Sequence, residues 1–153
     1  MALRPVAPDD LPAIEDWWPE AAATVGGVRE PVASDELRGM IDEADAETLV
    51  ITLADGPAPI GLLVFRLPAD GWLEFRFVAL ADGHRGWGYG SEAVSLIEES
   101  GRARCFAAEV YAGNGLGLYF WLRMGYRPAE QGELAWRKRG PEDKIAMIRM
   151  RKE

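Results

Sequence analysis

Apolar residues recur along the chain with two periods, and the change from one to the other marks out its elements. Ala2 to Val6 predicts a short strand, and Pro8-Asp9-Asp10 is a helix-start signal. A helix from about Asp10 to Trp18 places Leu11, Ile14, Trp17 and Trp18 largely on one side. A looser segment follows from Pro19 to Ala33, with Gly26-Gly27 and Pro31 as breakers. Ser34-Asp35-Glu36 then caps a second helix, whose Leu37, Met40 and Ile41 fall at helical spacing. Three runs rich in β-formers come next: Glu47 to Leu53, Ile60 to Leu67 and Trp72 to Leu80. Asp55-Gly56 and Asp70-Gly71 lie between them, so antiparallel hairpins are expected. The glycine-rich residues 86 to 90 open a helix to about Arg102, with Ala93, Val94 and Ile97 as its apolar stripe. Arg104 to Tyr111 predicts a strand and Asn114 to Met124 a helix. Two last strands fit Leu134 to Arg137 and Lys144 to Arg151.

The order β α α β β β α β α β β predicts an α/β (α+β mixed) fold with a mixed sheet. No internal repeat or long linker divides the chain, so residues 1–153 are expected to form a single domain. Hydrophobic residues at 48% and charged ones at 27% fit a folded globular chain rather than a disordered one. There is no stretch of 18 apolar residues and no apolar signal core at the N-terminus, so no membrane partner is expected. The one cysteine, Cys105, fits a cytoplasmic setting and a small buried thiol. A net charge of −8 argues against nucleic acid as partner. It serves either solubility or the attraction of a cationic substrate such as an amine. Without a His or Cys cluster, no metal site is expected.

His84-Arg85-Gly86-Trp87-Gly88-Tyr89-Gly90-Ser91 lies between a strand and a helix. The first turn of a helix carries amides without intrahelical partners, and its dipole favours anions. Glycines let that backbone approach a phosphate closely, and Arg85 adds a forked cation. Gly90 is followed by Ser91-Glu92 rather than Lys-Ser or Lys-Thr, which argues against a P-loop. Glycines at 86, 88 and 90 do not fit the dinucleotide spacing. The plain alternative is a glycine-rich turn with no ligand. His84 either faces solvent or helps to bind a phosphate.

Arg85-Gly86-Trp87-Gly88-Tyr89-Gly90 resembles the Arg/Gln-x-x-Gly-x-Gly/Ala signature of the GNAT superfamily of N-acetyltransferases. Leu80-Ala81-Asp82-Gly83 resembles the end of that family's fourth strand and the loop after it. Asn114 to Tyr126, NGLGLYFWLRMGY, is similar to its Asn-headed helix ending in Gly-Phe or Gly-Tyr. With the element order, the resemblance covers essentially the whole chain. It implies a mostly antiparallel mixed sheet of about seven strands with about four flanking helices, splayed between the fourth and fifth strands. It implies acetyl-coenzyme A as acyl donor, attacked directly by a primary amine of a small molecule or peptide in a ternary complex. Homodimers are common among such relatives.

On the same resemblance, the strand end at Val78, Ala79 and Leu80 binds the pantetheine arm, chiefly through the amides of Val78 and Leu80. Arg85, Gly86, Trp87, Gly88, Tyr89, Gly90 and Ser91 would hold the pyrophosphate. Asn114, also well suited as a helix cap, and Trp121 would approach the arm from the far side. Glu74 is the general-base candidate, six residues before Leu80 and so on the same face by the strand period. Its other reading is an acid salt-bridged or solvent-facing beside Arg76. Many relatives carry a tyrosine where this chain has Trp121, and an indole is no acid. Tyr119 points about 200° away on a helix. Either Tyr119 supplies the proton after a local shift, or solvent does, or catalysis is feeble. The alternative is a non-catalytic acyl-coenzyme A-binding module. Trp17, Trp18 and the loop to Arg29 fall where the family builds its acceptor side.

Overall fold

The computed structural model describes residues 1–25, 38, 39, 42, 45–130, 132–137 and 144–150. Its strands are β1 (Ala2–Pro5), β2 (Ala46–Leu53), β3 (Gly56–Arg66), β4 (Trp72–Leu80), β5 (Cys105–Tyr111), β6 (Arg127–Pro128) and β7 (Lys144–Met150). They form one sheet in the order β1-β2-β3-β4-β5-β7-β6. β1 to β4 pair antiparallel in turn, and the short Asp-Gly connections join β2 to β3 and β3 to β4. A helix intervenes before β5, which therefore runs parallel to β4. β7 returns antiparallel between β5 and β6.

Three helices are described: α1 (Leu11–Val25), α2 (Tyr89–Glu98) and α3 (Gly115–Arg123), with a 3-10 turn at Pro8–Asp10 before the first. On one face of the sheet, Ala93, Val94 and Ile97 of α2 and Trp121 of α3 pack on Leu73, Phe75, Val78, Phe106, Ala108 and Val110. On the other, Ile14 and Trp18 of α1 cover Val50, Leu62, Val64 and Ala79. The stripes seen in the sequence are buried because each helix has a sheet face to cover.

Several boundaries differ from the sequence reading. α1 continues through Pro19 to Val25, past the expected break. The alanines at 21 to 23 favour helix strongly enough to carry it beyond the missing proline N–H. The helix expected after Ser34 lies outside the described residues, apart from Arg38 and Gly39, which are helical. α2 stops at Glu98 rather than near Arg102, where the Ser100 hydroxyl donates to the Ile97 carbonyl at 2.6 Å.

The strand expected over Leu134 to Arg137 is not one: residues 132–137 are turns, with the Arg137 amide donating to the Leu134 carbonyl at 3.0 Å. Arg127 grips the Glu133 carboxylate through both oxygens, at 2.8 and 2.7 Å, and this fixes the turn. That grip, with the Glu130 amide, draws the Glu133 carboxyl down to about 2. Trp136 packs on Trp72 with ring centroids 5.6 Å apart. The edge pairing falls instead to Arg127 and Pro128, opposite Ile148 and Met147.

Candidate active site

Parallel pairing between β4 and β5 runs from Trp72↔Cys105 to Phe75↔Ala108 and stops there. Both strands continue, β4 to Leu80 and β5 to Tyr111. The sheet therefore opens into a wedge whose apex is the Phe75–Ala108 rung. A β-bulge sits at this apex. Val64 pairs with Phe77 and Phe65 with Phe75, so Arg76 is an extra residue on β4. A bulge bends its strand and increases the local twist, which turns β4 away from β5.

The bulge also exchanges the faces of β4. Leu73 and Phe75 before it share the α2–α3 core with Val78 and Leu80 after it. Glu74 and Leu80 consequently lie on opposite faces, contrary to the uninterrupted two-residue period. The Ala81 amide donates to the Ile60 carbonyl of β3 at 2.8 Å. Counting back by twos, Ala79 faces β3 with its backbone, while the amides of Val78 and Leu80 face the open gap. The Ala79 side chain goes to the α1 core and is 2% exposed. Val78 and Leu80 line the wedge; Ala79 does not.

The wedge holds about 1010 Å³ including the space at its open mouth. Its walls are apolar: Phe75, Val78 and Leu80 from β4, Ala108 and Val110 from β5, and Leu116, Gly117, Phe120 and Trp121 from α3. Arg76 and Glu109 are the charged groups beside the apex residues. Arg85, Gly86 and Gly90 stand at the start of α2. Gly86 and Gly88 have φ of 82° and 83°, a left-handed conformation that L side chains rarely adopt. Gly88 caps α2 without a side-chain hydrogen bond, so the first-turn amides of the helix are not met by a capping oxygen. The Arg85 Nε donates to the Leu80 carbonyl at 3.2 Å, tying the loop to the strand end. Trp87 and Gly88 of the turn and Tyr89 and Ser91 of the first turn of α2 do not line the wedge, and Trp87 is 73% exposed. His84 is half-buried in the loop and also outside the lining.

On α3, Asn114 acts as the N-cap, its Oδ1 accepting from the Gly117 amide at 3.0 Å. A Cβ on Gly117 would lie 2.5 Å from Asn114 Nδ2 and 3.1 Å from Val110 Cγ1, so this helix sits close on β5 only because residue 117 is glycine. Trp121 is buried in the wedge wall, its ring 5.5 Å from Phe75, 5.0 Å from Phe120 and 4.7 Å from Tyr126. Tyr119 is turned outward beneath the Arg123 guanidinium and is 59% exposed. It is not in the wedge.

Below the wall, the Tyr126 hydroxyl donates to Glu98 at 2.7 Å, and Arg149 donates to the other oxygen of that carboxylate at 2.8 Å. Burial, then the charge of Glu98, holds the Tyr126 hydroxyl far above its ordinary acidity range, so it remains a donor. The triad joins the ends of α2 and α3 to β7. Glu74 is buried, its Oε1 held by Arg66 Nε at 2.7 Å and 4.0 Å from Arg76 Nη1. It does not line the wedge. Phe75, Arg76, Glu109, Gly117 and Phe120 do, and sequence spacing did not single them out. Only the bulge and the end of the β4–β5 pairing bring them together. Cys105 begins β5 at the paired end, away from the opening.

A model of the acetyltransferase (GNAT) family matches residues 11–126. The chain belongs to that family. Acyl transfer from an acyl-coenzyme A is the family's chemistry, and the splayed β4–β5 pair of this GNAT chain forms its wedge. Solved structures share the fold. An acetyltransferase from Thermus thermophilus is 21% identical, with TM-score 0.71 over 97% of this chain and 96% of its own. The PaiA N-acetyltransferase of Thermoplasma acidophilum, solved with coenzyme A, is 15% identical, with TM-score 0.66 over 97% and 98%. The spermidine N-acetyltransferase of Vibrio cholerae, solved with coenzyme A and spermine, is 16% identical, with TM-score 0.71 over 98% and 95%. A sequence search of curated proteins finds no significant match. Among the described residues no helix is long and apolar enough to cross a membrane, and no group of His, Cys, Asp or Glu could hold a metal ion.

Proposed function

We propose that this GNAT chain moves an acetyl group from acetyl-coenzyme A to a primary amine, by direct attack in a ternary complex. The observation that carries the reading is the wedge itself. An apolar slot with two outward strand amides, Val78 and Leu80, leads to a glycine-shaped helix start beside Arg85. Apolar walls suit the pantetheine arm, strand amides its amide groups, and the helix start its pyrophosphate. The thioester would then reach the Phe75–Ala108 apex, beside the packed rings of Phe75 and Trp121.

The acceptor is proposed to be a cation. A net charge of −8 favours one, and the Vibrio relative was solved with spermine. No tyrosine whose side chain is described lines the wedge, and Trp121 has no useful acidity, so in this proposal the leaving thiolate takes its proton from the attacking nitrogen or from water. A cytoplasmic setting, with Cys105 as a free thiol, belongs to the same proposal. The second reading, a non-catalytic acyl-coenzyme A-binding module, draws on Tyr119 lying outside the wedge. Thiol release from acetyl-coenzyme A with a panel of amines separates the two. Amine-dependent release supports transfer; tight coenzyme A binding with silence across the panel supports the module.

A further inference from the structure

The geometry points to Trp121 as the floor of the acyl seat, the side chain that limits the transferred group to acetyl or propionyl. This rests on the wedge receiving an acyl-coenzyme A, as proposed above. α3 runs along the wedge from its open part to its apex. A Cβ on Gly117 would lie 3.1 Å from Cγ1 of Val110, which is beyond the last β4–β5 rung. One helical turn later, the Trp121 ring lies 5.5 Å from Phe75, which is on that rung. Past the rung the strands pair through their main chains and leave no gap to continue into. On the α2–α3 face, the narrow end is therefore closed by the buried rings of Phe75 and Trp121. The residues beside them in the lining are Ala108 and the charged Arg76 and Glu109. Charged groups offer no seat to a hydrocarbon tail, so an acyl chain extending past the thioester meets the indole.

Trp121 is held in place by the way α3 ends. Gly125 has a φ of 90°, and its amide donates to the Leu122 carbonyl at 3.0 Å. The Tyr126 amide donates to the Trp121 carbonyl, also at 3.0 Å. These bonds around a left-handed glycine make a Schellman motif, which turns the chain back and lays Tyr126 against Trp121. The two rings meet edge to face with centroids 4.7 Å apart. Tyr126 is itself buried, and its hydroxyl is fixed by Glu98 at 2.7 Å, which Arg149 holds in turn at 2.8 Å. Phe120 packs on the flank of the indole at 5.0 Å. Behind Trp121 there is thus an anchored ring rather than a loose side chain. A longer acyl chain would have to push the indole into that support, and close-packed interiors yield little space of this kind.

The test uses the full chain and a ladder of acetyl-, propionyl-, butyryl- and hexanoyl-coenzyme A. Calorimetric Kd values need no acceptor. Thiol release with spermidine, an Nα-blocked lysyl peptide or a peptide with a free N-terminal alanine gives kcat/KM for each donor. Each methylene that finds an apolar seat strengthens binding about fourfold, so a pocket open past Trp121 would show a steady gain along the ladder. Wild type is expected to show no such gain, and to lose about tenfold or more in kcat/KM from acetyl to hexanoyl. Trp121→Ala should bind hexanoyl-coenzyme A about tenfold more tightly than acetyl-coenzyme A, and reverse the order of kcat/KM. Trp121→Phe, a smaller step, should admit butyryl.

A steady gain along the wild-type ladder, or hexanoyl used as fast as acetyl, would overturn the assignment. A Trp121→Ala ladder identical to that of wild type would do the same. Should Trp121→Ala lose coenzyme A binding, Trp121→Phe decides, and an unchanged response to butyryl-coenzyme A overturns the role. The expected Kd ladders without turnover on any amine would support the floor while removing amine transfer. Failure of the wild-type protein to bind coenzyme A removes the floor and the parent reading together.

Discussion

Asp10 shows how much a single side chain can settle. Its two oxygens accept from Arg4 at 2.7 Å each, and one also accepts from the Ala7 amide at 2.7 Å. Chiefly through the Arg4 hydrogen bonds, and against the cost of burial, its carboxyl is held below the ordinary aspartate range. A depressed folded-state value means that this stabilisation is complete above the unfolded value, about 3.9, and is lost as pH falls through the folded one. Asp10→Asn should cost on the order of 2 kcal/mol at neutral pH, the scale of hydrogen bonds to a charged group. In urea titrations the difference from wild type should fade as the pH is lowered below the carboxylate range. A difference independent of pH would assign the loss to packing instead. Arg85→Ala should weaken coenzyme A binding about tenfold by calorimetry while leaving the melting temperature near wild type, since one charge-assisted contact is removed at the mouth of the wedge. Asp10 was legible as a helix-start residue, but its partner Arg4 was not, because nothing in the spacing says that β1 ends beside the 3-10 turn. Glu74 was visible as a conspicuous acid on a strand. Its engagement by Arg66 comes from the β3–β4 hairpin register, which pairs Arg66 with Glu74.

The elements of the site were legible where local chemistry fixes them and obscure where pairing does. The phosphate loop, the N-cap at Asn114 and the ends of β4 follow from glycine positions, a capping side chain and β-rich residues. The bulge at Arg76 leaves no trace in apolar alternation, since Phe75, Phe77 and Val78 are all apolar and either phase is acceptable. One inserted residue reverses every later side chain on β4, which is why Phe75 rather than Glu74 shares a face with Leu80. The four-residue Leu134–Arg137 run was misread for the opposite reason. Leu134, Ala135 and Trp136 form an apolar run, but the side chains serve a turn locked by Arg127 and Glu133. Gly117 carries an expectation of its own. Gly117→Ala must displace the Asn114 cap or lift α3 from Val110, and overpacking of this kind costs roughly 1–3 kcal/mol. A clear fall in melting temperature, with weaker coenzyme A binding because α3 forms one wall of the wedge, is the expected result. Unchanged stability would show that the helix can move without loss.

At the scale of the whole molecule, the sheet sets aside its own pairing to make a site. Strands β1 to β4 and β5 to β7 form two antiparallel blocks joined by four parallel rungs, Trp72↔Cys105 to Phe75↔Ala108, and the wedge opens where those rungs end. The α2–α3 core spans both blocks on one face, and α1 covers the first block on the other. The Tyr126–Glu98–Arg149 triad fastens the two helices beside the wedge to β7, holding one wall relative to the other. The central claim is that this opening receives acetyl-coenzyme A with its thioester at the apex. A crystal structure of the protein with acetyl-coenzyme A tests that most directly. The expected result places the pyrophosphate on the loop from Arg85 to Gly90, the pantetheine along Val78 and Leu80, and the acetyl carbonyl between Phe75 and Glu109. A cofactor bound elsewhere on the chain, or lying in the wedge with its sulfur at the mouth, would contradict it.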